Sequence, residues 1–421
     1  MWQVSSIAQR IALARWPWGT FPTCRARWNR APRGAGWLVL LAGLAVCAAS
    51  TVQAAQRIVL RDLQVISDKK VITFSEDGVQ VEGGRVITWD EIERAKVAPE
   101  QQEAFDRMLA DLGDHLYRIR RRLEDGDYKS LPPSGDGGKP DGDYKSLLSE
   151  SEAVYPRYIG RRSKTAYMVF QGLMWARLEA GRREEAVEPF LDCYEYLRAV
   201  GSARADLPGK RRLAFELDTG MTPEIVPVWF DPKAAEAAMP KVYEAVKRLK
   251  KPLPEAARIY YGTLALTAGK EETAMKVLGG IQGDRPVIAQ LRDIALAQRE
   301  VLAGKPGEAV QRLEGSLASM DPSNRPLATY WLGMAKVASD QPATRREGVL
   351  QLLYLPALYG KTSPDLAGAG LYQSIKTLAE LKDPAGSSSL RRELLARYGQ
   401  TLHAARLKAE LSPHKDNEVK P

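Results

Sequence analysis

Few residues in this 421-residue chain are spaced for chemistry. Asp218-Thr219-Gly220 is a tripeptide able to hold a carboxylate for acid–base hydrolysis. That reaction needs two carboxylates sharing one proton. Here a single copy lies between helical segments, followed by Met221, and it reads as a turn. Gly262 and Gly269-Lys270 superficially suggest a phosphate loop. Six residues separate the glycines instead of four, and Glu271 stands where a hydroxyl should meet magnesium. The histidines, His115, His403 and His414, are far apart and near no cysteine or carboxylate of metal-ligand spacing. Asp125-Gly126-Asp127-Tyr128-Lys129-Ser130-Leu131 recurs at 141–147, but neither copy has the alternating oxygen ligands and distal Glu of a calcium loop. No local signature of a Ser–His–Asp nucleophile is present. The expectation is no catalytic residue, no metal site and no cofactor.

The cysteines lead to the amino terminus. Cys24 and Cys47 lie in a segment, residues 1–54, with six Arg and no acidic residue. The apolar run Trp37–Cys47 is followed by small residues ending in Val52-Gln53-Ala54-Ala55. Val at −3 and Ala at −1 suit a signal peptidase cutting between Ala54 and Ala55. Two alternatives stay open: an uncleaved membrane anchor over residues 36–55, and lipidation at Cys47, since Leu44-Ala45-Val46-Cys47 is similar to a lipoprotein processing site. After cleavage only Cys193 remains, so no internal disulfide can form. Cys193 reads as a small buried apolar residue.

Charge narrows the partner class. The net charge of +9 falls to about +3 once the leader's six Arg are set aside, leaving 55 basic against 52 acidic groups. The remaining basic runs, Arg118–Arg122 and Lys247–Lys251, are short and scattered, so nucleic acid is not an expected partner.

The elements divide the chain further. Residues 55–95 read as a small four-stranded β module, from β-branched runs at 57–66, 71–74, 78–81 and 86–89 parted by turn signals. It is similar to an Sm-like or SH3-like half-barrel and should pack on a helix opened by Asp90, with Trp89 as its plug. From residue 98, Ala104, Met108, Leu109, Leu112, Leu116 and Ile119 recur at helical steps. Helices then dominate 96–410, with a flexible loop at 125–147 and an extended insertion near 200–232. Asp231-Pro232 is a helix start, and 411–421 reads as a disordered tail.

The helical part repeats. Gly181-Arg182-Arg183-Glu184-Glu185-Ala186-Val187 is echoed from Gly269 and from Gly304, and Ala274 and Ala309 stand 35 residues apart. Twelve residues before each Ala lies Met174, Gly262 or Ala297; four after it lies Phe190, Leu278 or Leu313. Leu332-Gly333 marks a fourth copy, and Asp383-Pro384 a fifth, degenerate one. These segments resemble tetratricopeptide repeats, whose period is about 34 residues. The resemblance implies a mainly α solenoid with small residues at Ala186, Gly262, Ala274, Ala297, Ala309 and Gly333, and large ones at Phe190, Leu278 and Leu313. It also implies a concave partner-binding groove formed by the first helix of each repeat. By register that groove includes Trp175, Ile259, Leu266, Leu291, Ile294, Tyr330 and Met334, with Glu179 as its only charge. The Lys and Arg clamp for acidic C-terminal peptides is missing, so a helix or an extended apolar peptide would suit it. The reading is an exported, periplasmic or envelope-associated, non-enzymatic scaffold that binds a protein partner. The alternatives are a membrane-anchored structural protein and an envelope hydrolase without a recognisable motif.

Overall fold

A computed structural model describes residues 56–67, 69–126, 144–200, 209–216 and 219–412. The leader with its Ala54–Ala55 site, the first copy of the duplicated heptapeptide beyond Gly126, and the tail from residue 413 lie outside the described residues.

Among the described residues the β module has six strands, not four: β1 (Arg57–Leu60), β2 (Val65–Ile66), β3 (Val71–Ser75), β4 (Gly78–Val81), β5 (Val86–Ile87) and β6 (Ile92–Lys96). They form two antiparallel three-stranded sheets, ordered β2-β1-β6 and β3-β4-β5. Two local features explain the difference. The first apolar run is broken by a turn in which Leu63 takes φ 69°, so it folds back on itself. Asp90 lies within only a 3₁₀ turn, Trp89–Glu91, opened by a Thr88–Glu91 capping box. The chain then becomes extended again, and β6 pairs with β1. The expected plug is in place: Trp89 is fully buried, its ring 5.0 Å from that of Phe105, and its indole donates to the Ser75 carbonyl at 2.7 Å.

Fourteen α-helices follow among the described residues. They are α1 (Pro99–Asp125), α2 (Tyr144–Tyr158), α3 (Lys164–Glu179), α4 (Arg183–Val200), α5 (Pro232–Arg248), α6 (Glu255–Thr267) and α7 (Glu271–Leu278). Then come α8 (Pro286–Leu302), α9 (Pro306–Glu314), α10 (Arg325–Val337), α11 (Pro342–Tyr359), α12 (Pro364–Glu380), α13 (Pro384–Arg397) and α14 (Leu402–Leu411). The loop expected at 125–147 ends earlier: Tyr144–Leu147 is the first turn of α2, because Leu147 is buried beneath Gly172 of α3. Likewise α14 runs through Leu411.

Consecutive helices pack as neighbours except α7 and α8, and α6, α8, α10, α12 and α14 also touch in succession, as one layer of a solenoid-like stack. The recurring Gly turns have one geometry. Gly181, Gly269 and Gly304 take φ of 72°, 72° and 71°. In each, the Gly N–H donates to the carbonyl three residues back, and the next N–H to the carbonyl five before itself. This is the Schellman ending, which satisfies orphan helix carbonyls and needs a left-handed residue. Lys382, φ 60°, makes the same two bonds at the end of α12.

Candidate functional site

The positions singled out for their small and large side chains are brought together. A Cβ on Gly262 would lie 2.7 Å from the Leu278 side chain, and one on Gly333 2.6 Å from Leu352, so α6 meets α7, and α10 meets α11, at glycine-permitted distances. Ala186, Phe190, Ala274, Ala297, Ala309 and Leu313 are all fully buried.

The expected groove is not open. Trp175, Ile259, Leu266, Leu291, Ile294 and Tyr330 are each 5% exposed or less, and Met334 is half-buried. The insertion lies against part of this set. The Arg211 guanidinium stacks 3.7 Å above the Trp175 ring, and Gln171 donates to the Arg211 carbonyl at 3.0 Å. Further along, the Tyr260 hydroxyl donates to the Ile225 carbonyl at 2.9 Å, and the Trp229 indole donates to the Thr263 hydroxyl at 2.9 Å. Val228 joins the core of Ile259, Leu266, Leu291, Ile294 and Tyr330. Phe230 ends the run, edge-on to Tyr330 and to His403. Burying such side chains stabilises by about 1.5–3 kcal/mol each, while the Gln171 and Tyr260 side chains satisfy backbone carbonyls of a segment that is neither helix nor strand. Sequence periodicity marked these positions as one apolar set; it could not show that the chain itself buries them. Glu179, read as the groove's only charge, is paired with Arg211.

Where the insertion reaches the last helices, it leaves a cavity of about 460 Å³. Its walls come from the α3–α4 turn, the insertion, the α11–α12 turn and the start of α14. Val226, Val228, Phe230, Leu366 and the half-exposed Leu402 supply apolar surface. The lining carboxylates are engaged: Asp365 by Arg183 at 2.8 Å, Glu224 and Glu179 by Arg211. Buried Glu184 accepts from the backbone N–H groups of Phe230 and Asp231, and desolvation raises its pKa above the usual carboxylate range. His403 also lines the cavity. Only 2% exposed, it has no hydrogen-bond partner among the described residues. Burial foremost, then Arg406 and Lys376, push its pKa down to about 3, so the ring is neutral at physiological pH. Sequence reasoning set His403 aside for lack of nearby ligands; its neighbours here, Phe230 and Tyr372, are distant in sequence.

A second polar array lies along α4, where Glu184, Glu188, Asp192 and Glu195 are buried at three- and four-residue steps. Glu188 pairs with Arg177, Asp192 with Arg248 and the Tyr155 hydroxyl, and Glu195 with Arg162 and Arg198. Every member has a partner, so the array fixes α4 against its neighbours. Cys193 is fully buried beside it, and desolvation holds its thiol well above the ordinary range. Asp218 lies outside the described residues; the adjacent Thr219 carbonyl accepts from Ala256 N at 2.9 Å, placing this turn at the start of α6.

Among the described residues, no group of three or more His, Cys, Asp or Glu is arranged for a metal ion, and no helix is long and apolar enough to cross a membrane. No family model matches the chain, and no curated protein matches it.

Proposed function

We propose that this protein is an exported, non-enzymatic scaffold of the tetratricopeptide type that binds a protein partner in the cell envelope. One observation carries the proposal: the helical stack holds a non-helical segment by the means such solenoids use on partners, with apolar side chains in pockets, side-chain bonds to its backbone, and a bond from its own Trp229 indole. The segment stops short of filling this surface, and the cavity at Phe230 is the part left for a partner. The site therefore moves from the apolar groove, part of which the insertion occupies, to the mixed cavity at its end. The export half of the proposal rests on the Arg-rich leader, the apolar run 37–47 and the Ala54–Ala55 site.

A photoreactive residue at Gln400, on the cavity rim, compared with one at exposed Tyr243 on α5, tests the binding half. Discrete protein adducts from Gln400 alone support the scaffold. Equal adducts from both positions, or none, count against it. Intact mass of protein expressed with its own leader tests export: a chain beginning at Ala55 in the periplasmic fraction is expected, and a full-length chain in the cytosol overturns it.

A further inference from the structure

The polar groups of the cavity are unevenly satisfied. Its carboxylates already have cations or amides. Several of its donors have no acceptor. Lys361 is exposed on the α11–α12 turn and pairs with no carboxylate among the described residues. The Ser363 hydroxyl, at the N-cap of α12, makes no capping bond. The N–H groups of Asp365 and Leu366 belong to the first turn of α12, where no carbonyl inside the helix can serve them. His403, nearly wholly buried and without a hydrogen-bond partner, presents a neutral imidazole with one N–H to give. Beside these donors stand Val226, Val228, Phe230, Leu366 and Leu402. The volume of about 460 Å³ is that of a pocket for one small group.

From this surplus of donors next to apolar surface, we infer that the cavity binds a free carboxylate carried on a short apolar group. The carboxylate meets Lys361, the Ser363 hydroxyl and the first amides of α12, the end of the helix macrodipole that favours negative charge. The apolar part lies against Phe230, Leu366 and Leu402. The Asp365 carboxylate does not oppose this, because the Arg183 guanidinium answers its charge at 2.8 Å. Two sources share this chemistry: the carboxy-terminal residue of a partner chain, and a small free acid. The inference deepens the scaffold proposal and rests on it for the choice of cavity.

Calorimetric titration of the full chain with four probes tests it: N-acetyl-leucine, N-acetyl-leucinamide, a hexapeptide ending in leucine as free acid, and the same hexapeptide amidated. Both acids should bind and both amides should lose about tenfold or more. Binding of N-acetyl-leucine but not of the acid hexapeptide assigns the cavity to small acids and keeps the inference. Lys361→Met alters an exposed group and Ser363→Ala a half-buried one, and each should weaken acid binding by about fivefold or more. Amides that bind as well as acids, no binding of any probe at millimolar concentration, or unchanged affinity in both variants overturns it. Cavity-specific adducts at Gln400 together with silent acids would remove this inference and leave the scaffold standing; acid binding without adducts would do the reverse.

Discussion

At the scale of the residue, two buried groups contribute to stability in different ways. His403 titrates at about 3 when folded, against an ordinary value of 6.5. Its folded pKa is lowered, so at neutral pH it costs nothing, and as pH falls below 6.5 the unfolded chain takes a proton that the folded chain refuses. Stability is therefore lost progressively from about pH 6.5 towards 3, at about 1.4 kcal/mol per unit. Between pH 7 and 5 the protein should lose about 2 kcal/mol more than His403→Phe, measured by urea unfolding at each pH. Equal losses would show that the imidazole is accessible when folded. Asp192 is a different case. It accepts from the Arg248 guanidinium and from the Tyr155 hydroxyl at 2.8 Å, and it is 7% exposed. Asp192→Ala leaves a cation and a buried hydroxyl without an acceptor and should cost about 3 kcal/mol. Glu103→Ala, which breaks the exposed Glu103–Arg107 pair, should change stability little.

At the scale of the element, the helix endings offer paired substitutions of opposite sign. A Cβ on Gly304 would meet nothing within 4 Å, so Gly304→Ala tests the left-handed backbone alone and should cost about 1 kcal/mol. Lys382 holds the same conformation with a side chain, and Lys382→Gly should stabilise by about 0.5–1 kcal/mol. Thermal unfolding of both variants is the check, and a loss at Lys382→Gly would mean that its side chain contributes more than the backbone strain removes. These turns also show what the sequence made legible. Gly181, Gly269 and Gly304 announced themselves because only glycine adopts that φ cheaply. The matching turn at Lys382 carried no such mark and was placed by Asp383-Pro384 instead. Periodicity marked Trp175, Ile259 and Tyr330 as members of one apolar set. It was silent on their occupant, since an apolar side chain looks the same facing a partner or facing its own chain. The sixth strand was hidden because Trp89-Asp90-Glu91 carries good helix-start residues, and only its pairing with β1 decides for a strand.

At the scale of the whole molecule, the insertion changes what kind of solenoid this is. In a simple repeat array each unit touches its neighbours, so distant units can unfold separately. Here Arg183, at the start of α4, bonds to Asp365 of α12 across 182 residues of sequence, and also to the Val226 carbonyl. Arg406 of α14 donates to the Phe230 carbonyl across 176 residues. Phe230 itself touches Tyr330 of α10 and His403 of α14. The segment 219–230 thus ties early helices to late ones, and the array should unfold as one cooperative unit. Removing the tie should expose the modularity beneath it. In Phe230→Ala combined with Arg183→Ala, unfolding followed by far-ultraviolet dichroism and by tryptophan fluorescence should separate into two transitions, whereas in the natural chain the two probes should coincide. Probes that diverge in the natural chain would show that these contacts do not couple the halves. Coincident probes in the double variant would place the coupling in the helix-to-helix packing of the stack.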